Sequence, residues 1–252
     1  MLVMVGAVTL LAAQAGLESR TLEKEAALGR FLADKVRQET TQIESAGIRQ
    51  YLDRLAARLG AAMPEAGLAF TITAIREDRC PDTHEPVALP GGYVFVSAGL
   101  FAAADTEQEF AAMVAHAMAE VVLRRGRPKP PLGQPANSGA TPLIYWAGTC
   151  DSVTPLGVRA SLRDLEREAD AVAVRTLARA GLDPGALLRF LERTPALPER
   201  ESRLAALRAI LAQQSLPGRI AGGGVEFAAV RQAVEEYAGT RPVRQPSLLR
   251  KQ

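Results

Sequence analysis

Apolar positions recur with helical spacing over most of the chain. Leu22, Ala26, Gly29 and Ala33 are spaced for one helical face, and Ile48, Leu52, Leu55 and Leu59 for another. Gly47 predicts the break between these two helices, and Pro64 and Gly67 end the helical register. Residues Ala69 to Ile75 alternate like a strand, with Phe70, Ile72 and Ala74 on one side. Arg76 to Pro86 reads as a polar loop, Ala88 to Gly92 as a sharp turn, and Tyr93 to Ser97 as a second strand. Thr106 with Glu109 three residues on forms a capping box that starts the next helix. Its body, Phe110 to Arg124, is almost wholly apolar, so most of its circumference is predicted to be buried.

Gly126 to Pro142 is rich in proline and glycine without periodicity, which predicts a surface loop or flap. A further helix is predicted from near Ser161 to Gly181, with Pro184 just beyond. Ala186 to Glu192 and Glu201 to Gln213 read as two more. Gly222 to Gly224 sets off a short last helix, Glu226 to Tyr237, and the basic tail from Thr240 is expected to be mobile.

The chain has 252 residues, 48% hydrophobic and 23% charged, which is enough for one large domain or two small ones and excludes a disordered chain. Its formal net charge of +2 gives no reason to invoke nucleic acid as a partner. Two cysteines, Cys80 and Cys150, cannot build a four-thiolate zinc site. Residues Leu2 to Ala13 form an apolar run too short to span a membrane, and Ala13-Gln14-Ala15 is a cleavage pattern. Residues 1–15 are therefore expected to be a signal peptide, although no Lys or Arg precedes the run; the alternative is an apolar first helix packed on the domain. Export would chemically allow a Cys80–Cys150 disulfide. The expected organisation is a domain over residues 20–215, followed by a C-terminal helix and tail over 216–252.

Candidate chemistry centres on one of only two histidines. His116 and Glu120 stand at i and i+4, so both side chains can point at a single ion. Glu166 on the later helix could provide a third ligand and leave one position open for water, the arrangement of a catalytic metal site. The bland alternative is a buried polar network of His116, Glu120, Glu166 and Asp170 without metal, which would keep the two helices in register. His84 falls in the polar loop and is expected at the surface. Met113 and Met118 read as core fillers.

Four landmarks in order carry a family resemblance: EKEAALGR (Glu23 to Arg30), ALPGGYVFVSAGL (Ala88 to Leu100), EFAAMVAHAMAEVVLRR (Glu109 to Arg125) and LEREADAVAVRTLARAGLDP (Leu165 to Pro184). The chain resembles the gluzincin metallopeptidases that include the CAAX prenyl proteases and the bacterial periplasmic BepA-type proteases. The resemblance implies an α+β, mostly helical zincin-like fold with a small sheet. It also implies zinc, an exported or cell-envelope location, a role in protein quality control, and a peptide or unfolded segment as partner, with membrane-surface association also admitted.

The family site is written H-E-x-x-H with a later E-x-x-A-D. Here the corresponding residues are His116-Ala117-Met118-Ala119-Glu120 and Glu166-Arg167-Glu168-Ala169-Asp170. By that correspondence His116 and Glu166 remain as metal ligands, Glu120 replaces the second histidine, and Ala117 stands where the general base should be. Asp170, and with it Glu168, is expected to support the ligands from behind. A positioned general base contributes roughly 10² to 10⁴ in rate, so the implied enzyme is a catalytically impaired pseudopeptidase. The alternatives are an active zinc metalloendopeptidase with a His/Glu/Glu site, and a purely structural or partner-regulating domain. Gly91, Gly92, Tyr93, Val94 and Phe95 match the family's edge strand, where an extended peptide adds by strand pairing.

Overall fold

The computed structural model describes residues 22–76, 84–125, 156–194, 200–213 and 224–240. The expected signal peptide, both cysteines, the Gly126 to Pro142 stretch and the basic tail lie outside the described residues. The first helix, α1, runs over 22–39. It is followed by β1 (Thr41–Gln42), α2 (Ala46–Ala61), β2 (Thr71–Arg76), β3 (Val87–Leu89) and β4 (Tyr93–Ser97). The remainder is helical: α3 (Ala98–Ala103), α4 (Glu107–Arg124), α5 (Leu156–Arg179), α6 (Ala186–Arg193), α7 (Arg200–Ala212) and α8 (Gly224–Thr240). The architecture is α+β, mostly helical with a small mixed sheet. No helix of the described residues is long and apolar enough to cross a membrane.

The sheet has the order β1-β2-β4-β3, with β2 and β4 parallel and the outer pairs antiparallel. Period-two alternation supplies two apolar faces. Ile72, Ala74, Ala88, Val94 and Val96 face the main core with α2 and α4. Ile75, Leu89 and Phe95 face Leu32, Ala33 and Val36 of α1. Layers of helix therefore cover both sides of the sheet.

This topology corrects one expectation. Tyr93–Ser97 is not an edge strand: its first three residues pair with β3 on one side and with β2 on the other. Val94 and Phe95 are buried. The glycines before it serve packing, since a Cβ on Gly92 would lie 2.2 Å from the Ala69 carbonyl oxygen. Gly91 and Gly92 have φ of 74° and 87°, the left-handed region that favours glycine. The outer strands are β1 and β3, and β3 escaped the sequence pattern because three residues merge with the turn at Pro90.

The expected break at Gly47 also moves. α1 stops before Thr40, whose hydroxyl donates to the Val36 carbonyl, and β1 intervenes before α2 begins at Ala46. α4 begins as the capping box predicts, with the Thr106 hydroxyl accepting from the Glu109 backbone N–H at 3.3 Å. The Glu109 carboxylate, however, reaches the backbone of Asp105, not that of Thr106. Gly181, at φ 67°, ends α5 by letting Leu182 N–H reach back to the Leu177 carbonyl. α8 packs into the main core through Phe227, Val230 and Val234, and Phe227 stacks among Tyr51, Phe101 and Phe110.

Gly29 lies against the turn before β4: a Cβ there would lie 1.9 Å from the Pro90 carbonyl oxygen. Gly29→Ala should therefore cost about 2–3 kcal/mol, read as a drop in the urea midpoint. Gly47→Ala, in α2 with nothing within 4 Å, should be neutral or stabilising by up to about 1 kcal/mol.

Candidate functional site

Alanine makes the site possible. Ala111, Ala112, Ala115, Ala117 and Ala119 of α4 and Ala169 and Ala173 of α5 are fully buried, so these two helices pack closely along their length. Longer polar side chains then meet at the seam. One turn of α4 presents His116 and Glu120, and one turn of α5 presents Glu166 and Asp170. His116, Glu120 and Asp170 are buried, and Glu166 is nearly so.

The four residues meet as their spacing predicts. His116, Glu120 and Glu166 each offer one ligand atom within 4.8 Å of the others. His116 Nδ1 lies 2.8 Å from Asp170 Oδ1, and Nε2 lies 3.2 Å from Glu166 Oε2. Ala117 is fully buried and carries nothing that can move a proton. Glu168 sits on the exposed side of α5, away from the seam.

Three residues that the pattern did not single out complete the cluster. Arg203 of α7 has 0% exposure and grips Asp170 with two hydrogen bonds, Nε to Oδ2 at 2.9 Å and Nη2 to Oδ1 at 2.7 Å. Its Nη1 lies 3.2 Å from Glu166 Oε2 and 3.4 Å from Glu85 Oε1. Glu85, just ahead of β3, is a quarter exposed and joins the cluster through Arg203. Arg124, one turn beyond Glu120, donates to its carboxylate at 2.7 Å and to the Ala88 carbonyl of β3 at 3.3 Å. A signal for Arg203 existed: it shares a helical stripe with Leu207 and adjoins Leu204, both buried.

The charges set the protonation states. Burial and Arg203 oppose protonation of His116, but its contacts with Asp170 and Glu166 outweigh them and raise it to about 10. Burial works against the Asp170 carboxylate, yet Arg203 and His116 hold it down at about 2. Burial likewise opposes ionisation of Glu166, and the imidazolium and guanidinium override it to lower its pKa. Glu120 is pushed up by burial despite Arg124. Glu85 is pushed up to about 7 by burial and by Glu166.

A zinc ion, implied by the family resemblance, would find His116, Glu120 and Glu166 as its donors. Arg124 donates to Glu120, and Arg203 binds Asp170 and lies beside Glu166. One nitrogen and two carboxylates also suit zinc less well than two imidazoles. His116, Glu120 and Glu166 could nonetheless hold a metal ion, and Glu166 Oε2 is buried without a hydrogen-bond partner.

The chain is similar to beta-barrel assembly-enhancing proteases. It is 28% identical over 188 residues to a Vibrio cholerae protein named "Putative beta-barrel assembly-enhancing protease". It is 26% identical over 188 residues to the beta-barrel assembly-enhancing protease of Yersinia pestis. Each alignment covers 69% of this chain and 38% of the relative, so the chain spans well under half the length of the curated relatives it matches. No family model matches the chain.

Stability should follow the buried histidine. Its pKa is raised from 6.5 to about 10, so its contribution is fully present below pH 6.5 and is lost as pH rises through about 10. The gap in urea midpoint between the parent protein and His116→Asn should shrink over that window. For Asp170, lowered from 3.8 to about 2, the corresponding gap against Asp170→Asn should persist above pH 3.8 and close as pH falls through 2.

Proposed function

We propose that this protein is an envelope homologue of the beta-barrel assembly-enhancing proteases that has lost hydrolytic chemistry and retains the binding of peptide or unfolded protein segments. The observation that carries the reading is the replacement at the centre of α4. Ala117 supplies no base, and Glu120, where a second imidazole is expected, is tied to Arg124. Export to the envelope, a quality-control role and association with a membrane surface belong to this proposal.

Binding then falls to the sheet. β3 ends the strand order, which makes Val87–Leu89 the outer strand beside the cluster. Glu85 stands two residues before it, and Arg124 links its Ala88 carbonyl to Glu120. An extended segment laid along β3 would gain main-chain hydrogen bonds next to a set of buried charges.

One observation favours the second reading, an active metalloendopeptidase with a His/Glu/Glu site. Burial and Glu166 push the Glu85 carboxyl up to about 7, and Glu85 is partly exposed and joins the cluster through Arg203, so it is the candidate for a substitute general base.

Hydrolysis of casein or of a quenched extended peptide, followed with and without added zinc, decides between them. The proposal expects no zinc-dependent cleavage, together with saturable binding of the unfolded substrate by fluorescence anisotropy. Zinc-dependent cleavage abolished by both His116→Ala and Glu85→Gln would establish the second reading instead.

A further inference from the structure

The outer edge of the sheet is almost devoid of donors. β3 pairs with β4 through Val87 and Phe95, Ala88 and Val94, and Leu89 and Tyr93. Pro90 has no N–H to give the ladder, so Leu89 and Tyr93 must be a pair that exchanges both main-chain bonds, and two residues back Val87 and Phe95 are another. Ala88, between them, therefore turns its N–H and its carbonyl away from β4, to the side where the sheet has no further strand among the described residues. The same period brings Pro86 and Pro90 to that side, and neither can donate. Ala88 is thus the one residue of β3 able to exchange two bonds with an added strand. Its carbonyl is already taken. Arg124 Nη1 donates to it at 3.3 Å, while Nη2 of the same guanidinium donates to Glu120 at 2.7 Å.

We propose that Arg124 is a latch on this edge: its guanidinium occupies the one carbonyl that an added strand needs, and yields it to a segment that presents a backbone N–H to Ala88. The inference rests on the reading of β3 as the strand that holds an extended chain, and it names the residue that governs access. The partner that fits is an extended segment that meets β3 over a single residue, with an unblocked main-chain N–H and C=O at that point. The guanidinium suits the exchange because its two terminal nitrogens hold different partners. Nη1 can leave Ala88 while Nη2 stays on Glu120, so the buried carboxylate is never uncovered. A bond from a cation to a carbonyl is stronger than one between neutral groups, so the latch costs an incoming strand affinity. In return it guards a bare sheet edge against indiscriminate pairing.

Fluorescence anisotropy with a fluorescein-labelled peptide of alternating threonine and valine tests this, beside an analogue N-methylated at every residue, with thermal unfolding to report folding. Arg124→Lys keeps the charge but offers a single nitrogen, which the Glu120 carboxylate should keep, releasing Ala88. It should bind the peptide about fivefold more tightly than the parent protein. Arg124→Met with Glu120→Gln removes both charges, should tighten binding likewise, and supplies the test if the lysine variant does not fold. Loss of a merely structural contact would loosen binding or leave it alone. Ala88→Pro deletes the outward N–H and leaves the bonds to β4 in place, so it should abolish binding. The N-methylated analogue should bind none of these proteins.

Unchanged or weaker binding by the folded Arg124 variants overturns the latch, as does undiminished binding by Ala88→Pro or of the N-methylated analogue. If the parent protein binds the peptide in such a case, the inference falls alone and peptide binding stands. Failure of the parent and of every Arg124 variant to bind would overturn the proposed function as well.

Discussion

A charge with 0% exposure must be answered within a few ångströms, and the centre of this fold is arranged to answer one. The guanidinium of Arg203 is met by Asp170 through two bonds and by Glu166 and Glu85 through charge. Those carboxylates in turn keep His116 protonated. Elements distant in sequence (the approach to β3, then α4, α5 and α7) are thereby fixed to one point. Such a cluster is poor evidence of net stability, because desolvation offsets most of its attraction. Its effect is on register. A slip of either helix by one residue would leave buried charges unmatched, at a cost of about 3–5 kcal/mol for a broken pair.

Much of this was legible in the residue pattern. Strand β4, the start of α4 at Thr106 and the stop of α5 at Gly181 follow from capping, alternation and left-handed glycine. Their causes lie within a few neighbouring residues. The i, i+4 pairing of His116 with Glu120, and of Glu166 with Asp170, likewise follows from helical geometry alone. What escaped was non-local. β1 and β3 are too short to show alternation, and the place of Tyr93–Ser97 inside the sheet depends on β3. Arg203 lies 33 residues from the Asp170 it grips, and no spacing rule links an arginine on a later helix to a carboxylate it will neutralise. Glu85 was hidden in a polar loop for the same reason.

Two close alanine-rich helices and the sheet packed on them bring His116, Glu120, Glu166 and Asp170 to one place. At that point Ala117 carries no group that can move a proton, Glu120 is bonded to Arg124, and Arg203 binds Asp170 beside Glu166. The proposed loss of hydrolysis rests on those residues. The outer strand, by contrast, needs none of that chemistry in order to hold an extended chain.

Crystals grown in the presence of zinc and measured on both sides of the zinc absorption edge would probe the centre most directly. Anomalous maps should show no peak between His116, Glu120 and Glu166, with Arg203 Nη1 still beside the Glu166 carboxylate. A full-occupancy zinc peak at that point, with His116 Nε2 turned onto the ion, would contradict a centre whose charges are matched within the protein.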